Sequence, residues 1–333
     1  MRRAQAGFTL VELMISLVIF SLAVAGVLSV AVSMNQGFRE QRQAIGAEDN
    51  ARGAMDFISD AIRSASPAVQ QTGVIRDDLT CTCYAPPASS LCAAPIGTAG
   101  VAVTNSTIGP DILRVVFASG GVVTSTRTDY TKGMTSLTLT DATAISAGDQ
   151  LMISDLAKGD IVTVTGVTMG AGTQGIITFA PSGCSEFNYT LAMNSLVVRV
   201  LRAEFFVDTT NAQSFGTNVL FMDPDDDGTT YQPEPLAENV EDLQVALGID
   251  DTGASPASAV DYWEYSLGNG AKVGSLRAAR LTIIALTKQA LQGGTGAFRR
   301  PAAEDHSAAT GTDNYRRRVL SSTVEIRNLG GSP

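Results

Sequence analysis

Gly7-Phe8-Thr9-Leu10-Val11-Glu12-Leu13-Met14-Ile15 begins the stretch whose reading decides the fold. Ahead of it, Met1 to Gly7 is short and polar, with Arg2 and Arg3 as its only charges. From Phe8 through Met34 the chain is apolar, and Glu12 is its one ionisable side chain. Those 27 residues, at about 1.5 Å each, make a helix of roughly 40 Å, enough to cross a hydrocarbon core of about 30 Å. The two arginines favour a cytoplasmic N-terminus, so everything after Met34 is expected to be translocated.

An ordinary secretory signal has a shorter apolar region with a small-residue cleavage site after it. Here the obvious small residue, Gly7, lies before the apolar run, so a cut there leaves the hydrophobic segment on the mature protein. A plain membrane anchor leaves Glu12 unexplained, because a carboxylate near mid-bilayer costs roughly 2.5–3.5 kcal/mol or more, and less near an interface. Cleavage between Gly7 and Phe8 supplies a partner, a new α-amine about one helical turn away. Within one chain that geometry is awkward. Between neighbouring chains, the Phe8 amine of one subunit can meet the Glu12 carboxylate of the next and neutralise both charges in an apolar setting.

These residues, in register behind a basic leader and ahead of a long apolar helix, resemble the class III signal of type IV prepilins and type II secretion pseudopilins, on which prepilin peptidase acts. The resemblance implies that residues 1–7 are a leader peptide, that Gly7 precedes the cut, that Phe8 becomes the N-methylated first residue, and that Phe8 and Glu12 serve subunit assembly. The segment 8–34 is then the transmembrane and filament-core helix.

Composition limits the alternatives. Hydrophobic residues make up 44% of the 333 and charged residues 17%, too apolar for disorder. The formal net charge of −10 argues against nucleic acid as a partner. A lone histidine, His306, in the Gly-rich loop with no base or nucleophile in view, leaves little material for a catalytic triad, and no P-loop or Gly-x-Ser-x-Gly is present. No enzyme activity is expected.

Residues 35–66 read as an amphipathic continuation of the helix, with Ile45, Ala51, Met55, Ile58 and Ile62 near helical spacing and Pro67 as its terminator. Residues 67–110 read as a cysteine-containing loop. Behind an exporting helix, Cys81, Cys83, Cys92 and Cys184 are expected to form two disulfides. Cys81 and Cys83 are too close along an extended chain to pair well. That leaves Cys83–Cys92 with Cys81–Cys184, or Cys81–Cys92 with Cys83–Cys184. A zinc site would lack the usual Cys-x₂-Cys spacing.

Residues 111–206 alternate short β-like runs with turn signals, among them Gly148-Asp149 and Lys158-Gly159-Asp160, and read as a β-rich insertion. Residues 207–333 read as the C-terminal pilin sheet, with Val240–Ile249 as a strand or a short helix followed by strand, strands at Arg277–Thr287 and Arg317–Arg327, and a mobile Gly-rich loop from Gln292 to Asn314. The runs Ser146–Asp155 with Val162–Val167, Pro235–Val245, and Tyr315–Asn328 resemble the PilW-type minor pilins in particular. The fold expected is α+β, a type IV pilin fold with one long N-terminal helix packed on an antiparallel sheet and an enlarged β-rich insertion.

Asp223-Pro-Asp-Asp-Asp-Gly-Thr-Thr-Tyr-Gln-Pro-Glu234 fits the spacing of a calcium loop, with Asp223, Asp225, Asp227 and Glu234 as candidate ligands. Against it, the loop follows a strand and carries two prolines, so a solvated turn competes. Arg299-Arg300 and Arg316-Arg317-Arg318 read as a solvated face or local ion pairs before a DNA-binding patch. The resemblance implies a minor pilin that primes assembly or forms the tip of a type IV pilus, held in the inner membrane with its body in the periplasm before entering an extracellular filament. Implied partners are prepilin peptidase, the major pilin, other minor pilins and a tip adhesin. A J-type minor pseudopilin of a type II secretion system is the alternative, and an adhesive or DNA-binding tip subunit the next.

Overall fold

The computed structural model describes residues 9–65, 69–77, 100–131, 133–179, 190–224, 232–250, 260–265, 276–290 and 296–326. One helix, α1 (Leu10–Arg63, 54 residues), is followed by β1 (Val69–Asp77), β2 (Val101–Thr104), β3 (Ile112–Ser125), β4 (Ser136–Leu139), β5 (Gln150–Ser154), β6 (Leu156–Met169) and β7 (Gly175–Phe179). The chain continues through β8 (Leu196–Asp208), β9 (Val219–Asp223), β10 (Glu234–Glu238), β11 (Val240–Ile249), β12 (Tyr262–Glu264), β13 (Leu276–Leu286) and β14 (Arg317–Glu325). The segment 67–110, expected as loop, therefore holds two strands, of which β1 pairs in parallel with β6 and β2 pairs with β3.

Helix α1 divides at Ala44. No residue from Leu10 to Gln43 is buried, whereas Ala44, Ala47, Ala51, Ala54, Met55, Ile58, Ala61 and Ile62 are. Their three- and four-residue spacing makes one face, and the alanines let the helix lie close to the sheet. Ile45, expected on that face, is 58% exposed; the seam runs through Ala44 and Ala47, which flank it. The helix stops before Pro67, at Ser64, whose N–H and hydroxyl both donate to the carbonyl of Asp60 at 3.1 and 2.8 Å.

Two sheets receive this face. A four-stranded antiparallel sheet runs in the order β12-β11-β13-β14. A ten-stranded sheet contributes β10, β9 and the helix-proximal halves of β3 and β8. Leu113, Val115, Ala203 and Phe205, from the segment read as an insertion, pack in the same core as Ile58, Ile62, Leu243 and Ile283.

Beyond a bulge between Ala118 and Val123, the same two long strands enter a second structure. There β3 pairs with β8, β8 with β5, β5 with β6, β6 with β7 and β7 with β4. The end of β3 then meets β4 through the Thr126–Leu139 bridge, with Arg127 N donating to Thr138 O at 2.8 Å and Thr140 N to Ser125 O at 2.9 Å. The insertion is thus a closed six-stranded barrel, filled by Leu137, Leu139, Leu151, Ile153, Val162 and Ile177. Its β5–β6 turn lies one step earlier than Lys158-Gly159-Asp160 suggests. Gly159 and Asp160 are already paired with Ser154 and Ile153, and Leu156 adopts a positive φ of 74° with its N–H on the Ser154 hydroxyl.

The stretch expected as a mobile Gly-rich loop is, over its described residues 296–314, a strap fixed to the sheet. Along β11, Leu243, Val245 and Leu247 face the helix core, so the alternating Asp242 and Gln244 face outward. Across them Gln244 pairs with Thr282 and Ala246 with Arg280 on β13. The strap lies on these polar residues. Glu304 accepts from Arg280 at 2.9 and 2.6 Å and from the Thr282 hydroxyl at 2.9 Å. Arg300 Nη1 donates to Asp242 at 3.1 Å, and His306 Nδ1 to the same oxygen at 2.7 Å. His306, with no partner apparent in the sequence, is thus oriented by a buried carboxylate.

Candidate assembly site

Thr9 is the N-cap of α1, and with Glu12 it forms a capping box. Glu12 Oε2 accepts from the Thr9 N–H at 3.0 Å and from its hydroxyl at 2.9 Å, while the Glu12 N–H donates back to the Thr9 hydroxyl at 3.3 Å. The pattern Thr-x-x-Glu ahead of an apolar run carries this signal openly, so Thr9 is a site residue the charge argument overlooked. Within one chain the carboxylate caps its own helix. Gly7 and Phe8, the other halves of the expected site, lie outside the described residues.

The apolar residues after the cap have no cover among the described residues. Leu10, Phe20, Val27, Leu28 and Met34 are 76, 70, 71, 64 and 57% exposed. This part of α1 is long and apolar enough to cross a membrane. It is continuous with the helix that the body grips from Ala44 onward, so the exposed half is carried on a fixed stem.

The remaining sequence-derived sites separate on the structure. Cys81, Cys83, Cys92 and Cys184 lie outside the described residues, as do Asp225 and Asp227. Asp223 closes β9 as a buried residue, and Glu234 opens β10 as an exposed one opposite Met222. The candidate calcium motif is therefore the connection of an antiparallel strand pair. Among the described residues, no group of three or more His, Cys, Asp or Glu side chains is placed to hold a metal ion.

Each arginine run is divided between a member whose side chain is largely buried in ion pairs and members that are exposed. Arg300 is buried on Asp242, while Arg299 is exposed. Arg317 is held by Glu241 at 2.6 and 2.9 Å and by Asp313 at 2.7 and 2.6 Å. The Arg317 guanidinium in turn holds the Asp313 carboxyl below its usual range. Arg316 reaches Glu40 of α1 at 3.3 Å.

Residues 204–328 match the family described as Type IV Pilus-assembly protein W, and residues 2–28 match the Prokaryotic N-terminal methylation motif. Among solved structures, a type IV-like pilin from Thermus thermophilus is similar at 14% identity, covering 70% of this chain and 84% of that one with a TM-score of 0.33. No curated protein matches the chain. With a match to the methylation motif at the start of the exposed helix and a PilW match over strands that grip its stem, the chain is similar to type IV pilins at its N-terminus and, over residues 204–328, to the PilW-type minor pilins.

Proposed function

We propose that this chain is a minor pilin: prepilin peptidase removes residues 1–7, Phe8 is N-methylated, and the subunit joins the tip or the assembly-priming complex of a type IV pilus. The observation that carries this reading is the exposed apolar half of α1, Leu10 to Met34, fixed to a folded body. A contiguous apolar surface of that extent is stable in lipid or against like helices, and in water it marks an interaction surface. Before assembly it holds the chain in the inner membrane with the body in the periplasm. In the filament it packs against the same segment of the major pilin and other minor pilins, with a tip adhesin as a further partner.

Glu12 has a part in both states. In the single chain it caps α1 through Thr9. Once the leader is gone, the Phe8 amine of one subunit takes the Glu12 carboxylate of the next, which fixes register more than it adds stability.

Two substitutions test the reading. Gly7→Leu should leave a full-length precursor on a gel, and normal processing would overturn the peptidase assignment. Glu12→Ala should insert and be cut normally yet enter filaments poorly. Unimpaired incorporation would remove the pairing role.

A further inference from the structure

We propose that a basic collar around the stem of α1 docks on anionic phospholipid headgroups and sets the direction in which the membrane span leans. The inference rests on the reading that α1 crosses a bilayer.

The chain is acidic overall, with a net charge of −10. Yet Arg39, Arg42, Lys288, Arg299 and Arg316 are all exposed, and contacts gather them at one level of the helix. Arg316 reaches Glu40 at 3.3 Å. Gln43 donates to Gln289 at 3.2 Å, which brings Lys288 beside the same turn. The Arg316 guanidinium lies over the Phe298 ring at 5.7 Å, which brings Arg299 alongside. Glu241 and Asp313 are taken up by the neighbouring Arg317, and Glu48 faces Arg318. Glu40 pairs with Arg316, and Glu238 lies 3.5 Å from Lys288. Exposed pairs of this kind are worth little in water, so they yield readily to a phosphate.

The height is right for headgroups. The 27-residue segment from Phe8 to Met34, as a helix, exceeds a core of about 30 Å by roughly 10 Å, and a span takes up such a surplus by tilting. Arg39 and Arg42 follow Met34 by about 8 and 12 Å along the helix axis, and tilt brings them lower on one side. Which side descends is set by interfacial arginines, lysines and aromatics. Phe38 and Tyr315, 56 and 37% exposed, stand beside the collar. Between the stem and the sheet is a cleft of about 260 Å³ whose lining combines Ala44, Ala47 and Phe298 with Arg316, Arg317 and Arg318. Guanidinium and apolar surface in one cleft suit a phosphodiester attached to a hydrocarbon tail.

The test uses the full chain reconstituted in bilayer nanodiscs of phosphatidylcholine alone, or of phosphatidylcholine and phosphatidylglycerol in equal parts. Hydrogen exchange is followed in residues 39–47 and 313–318. Exchange should slow about thirtyfold in the anionic discs, the scale of two headgroup contacts, and the protection should vanish in high salt. It should also vanish in the combined variant Arg39→Gln, Arg42→Gln, Arg316→Gln. Equal exchange in both lipids, with the chain retained in the discs, overturns the proposal. Protection that appears in both lipids and grows with protein density points to a neighbouring subunit as the occupant, and overturns it equally. A chain that washes off the discs overturns the membrane-spanning reading itself.

Discussion

Asp242 is a fully buried carboxylate with three donors: His306 Nδ1 at 2.7 Å, Gln244 Nε2 at 2.9 Å and Arg300 Nη1 at 3.1 Å. Gln244 Nε2 also sits 3.4 Å from His306 Nδ1, but both atoms donate elsewhere, so that approach is not a bond. Removing the guanidinium strands the buried charge. Arg300→Met should cost about 3–5 kcal/mol, read as a lower urea midpoint of the full chain in detergent. Pairing it with Asp242→Asn should recover part of the loss; no recovery would show that the charge is not what suffers.

Asp111, also fully buried, behaves differently. Its oxygens accept from Ser106 N and Val245 N, both at 2.8 Å, yet burial pushes its carboxyl up to about 7, helped by Asp305 and Asp242 nearby. The native state therefore holds this proton more tightly than the unfolded chain does. Its contribution is fullest below the unfolded value near 4 and is lost as pH rises toward 7. Asp111→Asn has no proton to lose, so its stability deficit against the parent protein should shrink between pH 5 and pH 7.5. A deficit that stays constant across that window would show that Asp111 does not titrate there.

At the scale of elements, α1 is a stem whose distance from the sheet is fixed by alanines. Ala51 is fully buried, so Ala51→Leu forces the helix off the sheet and should cost about 1–3 kcal/mol in a thermal melt. Ile45, on the exposed side, gives the converse test. Ile45→Ala should melt like the parent protein but reduce incorporation into filaments, and a clear loss of stability would place Ile45 in the body's own packing instead. The strap is the second element with a clear logic. Two outward-facing polar residues on β11 and two on β13 need cover with matching groups, and Arg300, Glu304 and His306 supply them. The Trp263 ring closes the other side of Arg280 at 4.3 Å.

For the whole molecule, the decisive feature is that β3 and β8 belong to two cores at once. Leu113 and Phe205 lie under α1, while Val197 lies inside the barrel with Leu151. The barrel therefore cannot lose its strands without disturbing the helix seat. Leu151→Ala in the barrel and Ile58→Ala on the stem, each worth about 2–5 kcal/mol, should move the same calorimetric transition. Two transitions, each shifted by only one substitution, would contradict that coupling.

The local order of the chain determined much of this. A mainly apolar stretch of 27 residues with one acid specifies a long helix by length and hydropathy alone. Arg277–Thr287 and Arg317–Arg327 announce themselves as strands within two residues of the bounds the structure gives them. Thr-x-x-Glu was equally legible as a cap, because capping acts over one turn. Tertiary structure decided what depends on residues far apart in the chain. Whether Ile45 or Ala44 faces the sheet turns on the seam, and whether six strands close a barrel turns on the meeting of Thr126 with Leu139. His306 lies 64 positions from Asp242, and no local pattern announces a partner at that distance. Short-range physics wrote the helix and most strands into neighbouring residues, while burial and charge pairing act through space and became readable only once the chain had folded.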